Sequence, residues 1–132
     1  MIERSRRTYR NNHPKEVSKL NSGLLRDGAV REVTCEGLEH PENVETYRMS
    51  EAALALGRSM VTIKRWIKEE LIPPPILTDV VYGYKHYSRG ELKLIAMLLA
   101  EHERQYEYFH YTHTVTINRI WQGIEAYRKT HL

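Results

Sequence analysis

The side chains that could do chemistry in this sequence fall into two groups. Three histidines, His102, His110 and His113, stand near Glu103 and Glu107. Imidazole and carboxylate are metal ligands, but a zinc site needs three or four ligands at set spacings, and the sequence has neither Cys-x-x-Cys nor His-Glu-x-x-His. No metal site is expected. Cys35 is the only cysteine, so it has no partner for an intramolecular disulfide and reads as an inert thiol. A glycine-rich phosphate loop, a Ser/His/Asp set and a persuasive carboxylate pair are missing as well, so neither catalysis nor a cofactor is expected. The second group is cationic. Arg58, Lys64, Arg65 and Lys68 crowd together with Ser59, Met60, Val61 and Thr62. Lysine and arginine hold phosphates, and Arg65 can also pair bidentately with a guanine edge, so the chemistry is nucleic-acid recognition. The plain alternative is an ordinary solvated helix face.

Local signals say how these cations are carried. Ser50 is a candidate cap for a first helix, with Glu51 at its positive end and Ala52 to Leu56 as strong helix formers. Gly57 stops that helix, because glycine enters the left-handed conformation without steric penalty. Ser59 then caps a second helix. Its apolar members Ile63, Trp66 and Ile67 share one face at i, i+3 and i+4, which leaves the cations on the other. Trp66 and Tyr87 are therefore expected in the core.

The run Pro73-Pro74-Pro75 removes three backbone donors and forces an extended path. Ile76-Leu77, Val80 to Tyr82 and Tyr84 to Tyr87 are β-favouring runs broken by Thr78-Asp79 and Gly83, which predicts a short irregular hairpin. Tyr82, Tyr84, Lys85, His86 and Tyr87 are placed there to present donors to phosphates, unless alternate tyrosines pack inward, as Tyr87 is expected to do. Ser88-Arg89-Gly90-Glu91 fits a capping box, so a third helix is predicted from Arg89 to about Phe109. A last helix starts at Thr112 or Thr114 and runs to about Lys129. Its stripe of Ile117, Ile120, Trp121, Ile124 and Tyr127 has two fates, packing on the third helix or meeting another subunit. The latter is favoured, since Trp and Tyr concentrate in interface centres.

Ser50-Glu51-Ala52-Ala53 before Gly57, Thr62 to Trp66, Leu71-Ile72-Pro73 and Gly83 to Ser88 before Glu91-Leu92 together resemble the DNA-binding domain of the MerR family of bacterial and phage regulators. The run is more loosely similar to excisionase winged-helix proteins. The resemblance implies a mainly α fold with a small β wing, a winged helix-turn-helix whose second helix enters the major groove while the wing touches the backbone. It also implies a dimer held by the C-terminal helix, and promoter distortion that serves RNA polymerase. The sequence departs from the family at Ile67-Lys68 and in the long stretch before Tyr47.

The charge pattern agrees with a polyanionic partner. The net charge is +3, and residues 1–31 carry 8 basic and 3 acidic side chains against 1 and 6 in residues 32–51. Arg4, Arg6, Arg7 and Arg10 form a basic arm that either lies along phosphates or is a solvated leader. Val17, Leu20, Leu24 and Leu25 fall at helical spacing, which suggests a short, weak helix there. Gly28 to Gly37 reads as an extended strand for the hairpin or a partner subunit, and Glu36 to Glu45 as an acidic linker. Three parts result: 1–46 as arm and linker, 47–109 as the DNA-binding domain, and 110–132 as an oligomerisation helix. Without an apolar run of about 18 residues, a cytoplasmic protein without membrane contact is expected. The expected function is sequence-specific binding of double-stranded DNA by a homodimeric or larger regulator. An architectural or assembly protein, such as a recombination factor or phage packaging subunit, is the alternative.

Overall fold

Cap, turn and proline signals set most of the element boundaries in the computed structural model, which describes residues 25, 27–106 and 108–132. Alternation in Ala-Val-Arg-Glu-Val-Thr turns Val33 inward and leaves Val30 and Glu32 outside, making strand β1 (Ala29–Thr34). A tight turn, with Leu38 N donating to Cys35 O at 2.9 Å, returns the chain as β2 (Glu42–Tyr47). Helices α1 (Met49–Leu56) and α2 (Met60–Lys68) follow, then the short strands β3 (Leu77–Asp79) and β4 (Lys85–Ser88). Helix α3 (Arg89–Glu103) and helix α4 (Thr114–His131) complete the described chain.

The strands close on themselves. β1 pairs with β2 and β3, and β4 pairs with β2 and β3, every pair antiparallel, with Val33 opposite Asp79 and Tyr47 opposite Tyr87. Closure leaves no free edge strand in the ring of described strands. Helix takes up 47% and strand 18% of the described residues, so the fold is mixed α/β, four helices with a small four-stranded antiparallel sheet, and the expected mainly α character is matched only in part. The expected linker Glu36 to Glu45 thus supplies part of a strand, β2, because Val44 lies opposite Arg31 on the face that carries Val33, Tyr47 on the other face packs into the helical core, and β4 offers open ladder groups. The strand expected between Gly28 and Gly37 is present as β1, and it does pair with β3.

One core joins ring and helices. Tyr47 and Tyr87 pack with Ala52, Leu56, Ile63, Trp66, Leu92, Ile95, Leu99, Ile120 and Ile124. Tyr87 donates its hydroxyl to Pro73 O at 2.6 Å, tying the proline run to β4. Helix α1 starts two residues earlier than a cap at Ser50 predicts: Arg48 is the cap, and its N–H donates to Glu51 Oε1 at 2.8 Å. Helix α3 stops at Glu103, short of Phe109. Phe109 instead folds back, edge-on to Trp66 at 5.1 Å and to His102 at 5.4 Å, a burial that a straight continuation would forgo.

Helix α4 packs on α3, which corrects the expected oligomerisation stripe. Ile120 and Ile124 are fully buried and Ile117 packs against the same core. Trp121 Nε1 donates to Glu70 O at 2.9 Å, and the Tyr127 hydroxyl lies over Gly90, in the space that a Cβ there would need. The physical reason is supply: α3 offers an uncovered apolar face within reach, and covering it needs no second chain.

Candidate nucleic-acid interface

The cationic helix is set by its neighbours before any ligand is considered. Gly57 at φ 71 ends α1, and Arg58 N donates to Ala53 O at 2.9 Å, so the chain reverses within Gly57-Arg58-Ser59. Ser59 Oγ accepts from Thr62 N at 3.2 Å and caps α2. Ile63 and Trp66 then bury the inner face. At the far end Glu70, at φ 62, closes the helix, with Leu71 N donating to Trp66 O at 2.8 Å.

On the outer face Val61, Lys64, Arg65 and Lys68 follow at i, i+3, i+4 and i+7, all exposed. Lys64, Arg65 and Lys68 make no ion pair with another described residue, so their charge is open to a ligand. Ser59 and Met60 are exposed at the helix start and Thr62 is half-buried. Val61, 74% exposed, is a large apolar side chain at the N-terminal end of this otherwise cationic stripe.

Arg58 does not belong to that face. Its guanidinium is buried, forms a close ion pair with Glu103 of α3 and lies 5.7 Å over the Trp66 ring. Sequence proximity to the cations suggested a DNA contact, yet the turn aims the side chain at α3, where a carboxylate is waiting. The charge is used to join α2 to α3.

The β3–β4 turn is a second exposed element. Asp79 Oδ1 accepts from Val81 N at 2.6 Å and Tyr82 N at 2.9 Å, and Gly83 at φ 76 completes the turn. These N–H groups, Tyr82 first, hold the Asp79 carboxyl below the usual carboxylate range. At the tip the rings of Tyr82 and Tyr84 stack at 5.9 Å, and Val81, Tyr82 and Tyr84 are 73%, 73% and 61% exposed. Val81 thus joins the expected Tyr82 and Tyr84 there; the Asp79-to-Gly83 turn chemistry was the available signal. Lys85 is exposed, its Nζ 3.0 Å from Thr78 Oγ1.

His86 corrects another expectation. It is fully buried with Nε2 3.5 Å from Asp79 Oδ2, on the side of β4 opposite Lys85, and no phosphate can reach it. Burial first, then Arg31, pushes its pKa below the ordinary value despite the nearby Asp79. Arg31 is itself engaged, with Glu51 at 2.9 Å and Thr46 O at 2.8 Å. Arg4, Arg6, Arg7 and Arg10 lie outside the described residues, as do Val17, Leu20 and Leu24 of the suggested N-terminal helix.

The histidine group is a packing unit. His102 is 5% exposed, with Nδ1 2.8 Å from Thr116 Oγ1 and Nε2 3.1 Å from Tyr108 O. A carbonyl only accepts, so Nε2 carries the proton and Nδ1 accepts from the Thr116 hydroxyl. His113 packs 4.4 Å from both His102 and His110. Among the described residues no group of three or more His, Cys, Asp or Glu side chains is arranged to hold a metal ion. Nor is any described helix long and apolar enough to cross a membrane.

Comparison with known proteins returns no match for this chain, whether to family models, to curated proteins or to solved structures.

Proposed function

We propose that the chain is a sequence-specific double-stranded DNA-binding regulator, built on a winged helix-turn-helix of MerR type in which α1 and α2 form the helix pair and β3–β4 the wing. The observation that carries this reading is the exposed stripe Val61, Lys64, Arg65 and Lys68 on a helix whose opposite face is anchored by Ile63 and Trp66. An anchored helix with open cations is what a major groove admits. Arg65 reads a guanine, Lys64 and Lys68 hold phosphates, and Tyr84 and Lys85 add backbone contacts from the wing. The protein works as a homodimer in the cytoplasm, on two half-sites, and acts by occluding a promoter or by distorting it for RNA polymerase.

The exposed Val81 beside stacked tyrosines favours a second reading, an architectural protein. Apolar tips of this kind wedge between base steps and bend the duplex.

Selection from a random duplex pool at about 0.15 M salt tests both. An inverted repeat with half-sites about one helical turn apart is expected, with Arg65→Ala relaxing one position at a cost of ~1–3 kcal/mol and Lys64→Ala lowering the salt slope by about 1. Tight binding without a motif would move the conclusion to the architectural reading. A pool from which no duplex is retained would sink both.

A further inference from the structure

Helix α3 has two faces, and the core uses only one. Leu92, Ile95 and Leu99 point inward, while Lys93, Met97, Glu101 and Arg104 are exposed on the other side. Met97 is 54% exposed and stands between the nearly buried small residues Ala96 and Ala100. Beside it runs a groove of about 670 Å³, walled by Leu25, Leu94, Met97 and Tyr127. An exposed methionine over alanines is an adaptable apolar strip that a second helix can approach closely.

The order of residues along this strip is symmetric about Met97. Lys93 stands four positions before it and Glu101 four after, and Leu94 stands three before and Ala100 three after. Two copies of α3 laid antiparallel with a two-fold axis through Met97 bring each position before Met97 opposite its counterpart after it. Lys93 of one copy then meets Glu101 of the other, twice, and Leu94 meets Ala100, large against small. An isologous interface requires this kind of self-complementarity.

We infer that the outer face of α3 pairs with the same face of a second copy, antiparallel about Met97, with Lys93 and Glu101 as reciprocal ion pairs. This surface replaces the α4 stripe, which the core consumes. It would supply the dimer that the DNA-binding reading calls for, but it concerns the protein alone and is tested without DNA, so the two ideas fail separately.

The test is sedimentation of the full chain at roughly 100 μM, a concentration suited to an interface at the small end of the known range. Wild type is expected to be a dimer. Lys93→Glu alone sets a second carboxylate against Glu101 of the other copy, and Glu101→Lys alone sets a second ammonium against Lys93; each is expected to weaken the dimer about tenfold or more. Mixing the two variants restores both opposite-charge contacts, so the equimolar mixture is expected to be dimeric again, as is the double variant. Recovery on mixing also shows that each variant is folded, which matters because Glu101 pairs with Arg119 at 3.2 Å within its own chain. A monomeric wild type, single variants that dimerise as wild type does, or a mixture that stays monomeric would each overturn the assignment. A monomeric wild type would leave the groove to another part of the same chain.

Discussion

His102 shows how a residue type that suggests a ligand becomes a structural group with a measurable consequence. Burial first, with the His110 charge adding to it and against the Tyr108 carbonyl bond, holds its pKa below the ordinary 6.5; His113 is lowered in the same direction, first by burial and then by His102 and His110. His102 thus folds most readily in its neutral form. As pH falls through about 6.5 the unfolded chain takes up the proton first, so stability is lost from there down to the depressed native values and then levels off. Fully buried His86 acts with the same sign. Glu51 and Asp79, lowered from 4.5 and 3.8, add their loss only at more acid pH. Thermal denaturation is therefore expected to show a melting temperature a few degrees lower at pH 5.5 than at pH 7.5, with a shallower slope in His102→Gln. An unchanged slope in that variant would place the acid sensitivity elsewhere. Arg58 teaches the same lesson for charge, since its place beside Lys64 and Arg65 in sequence says nothing of the Glu103 that captures it.

Among the elements, α3 is the one whose start was most legible. Ser88-x-x-Glu91 forms the capping box it spells: Glu91 N–H lies 3.3 Å from Ser88 Oγ, and Ser88 N donates to Glu91 Oε1 at 2.9 Å. Its second task was not legible. Glu91 is fully buried and its other oxygen accepts from Arg128 Nε of α4 at 2.5 Å, while Arg128 also donates to Pro74 O at 2.7 Å. One carboxylate thus caps α3 and fastens α4 and the proline run to it. Ser88→Ala is expected to cost ~1 kcal/mol of stability in urea denaturation, the usual value of a cap. Arg128→Ala is expected to cost ~3 kcal/mol or more, because it strands a buried charge. Equal costs for the two would mean that the Arg128 contact is a surface pair of little consequence.

For the molecule as a unit, the closed ring changes what counts as the domain. The stretch beginning at Tyr47 carries the helix pair and the hairpin, yet β3 and β4 are too short to stand alone. They are held by β1 through Val33 and Thr34 and by β2 through Thr46 and Tyr47. A chain starting at residue 47 loses those ladders and uncovers Tyr87, so its circular dichroism is expected to melt without a cooperative transition while the full chain melts with one. A cooperative melt at the full chain's temperature would show that the ring is an accessory.

The signals that could be read in advance were local ones. Gly57, Ser59, the prolines, Gly83 and Ser88-Glu91 act within a turn of chain, so the end of α1, the start of α2, the hairpin turn at Gly83 and the start of α3 followed from residue type and spacing, while the start of α1 and the extent of β3 did not. The open face of Lys64, Arg65 and Lys68 followed from helical periodicity in the same way. Tertiary structure decided everything that depends on a distant partner. The Arg58 guanidinium meets a carboxylate 45 residues away, Trp121 reaches Glu70 across 51, and β1 and β2 become half of a ring only because β3 and β4 present unpaired edges to them. An apolar stripe or a charge in sequence states a need for cover or for a counter-charge. Which element meets that need is settled by the three-dimensional arrangement, and here it turned α4 inward and left the Met97 face of α3 outside.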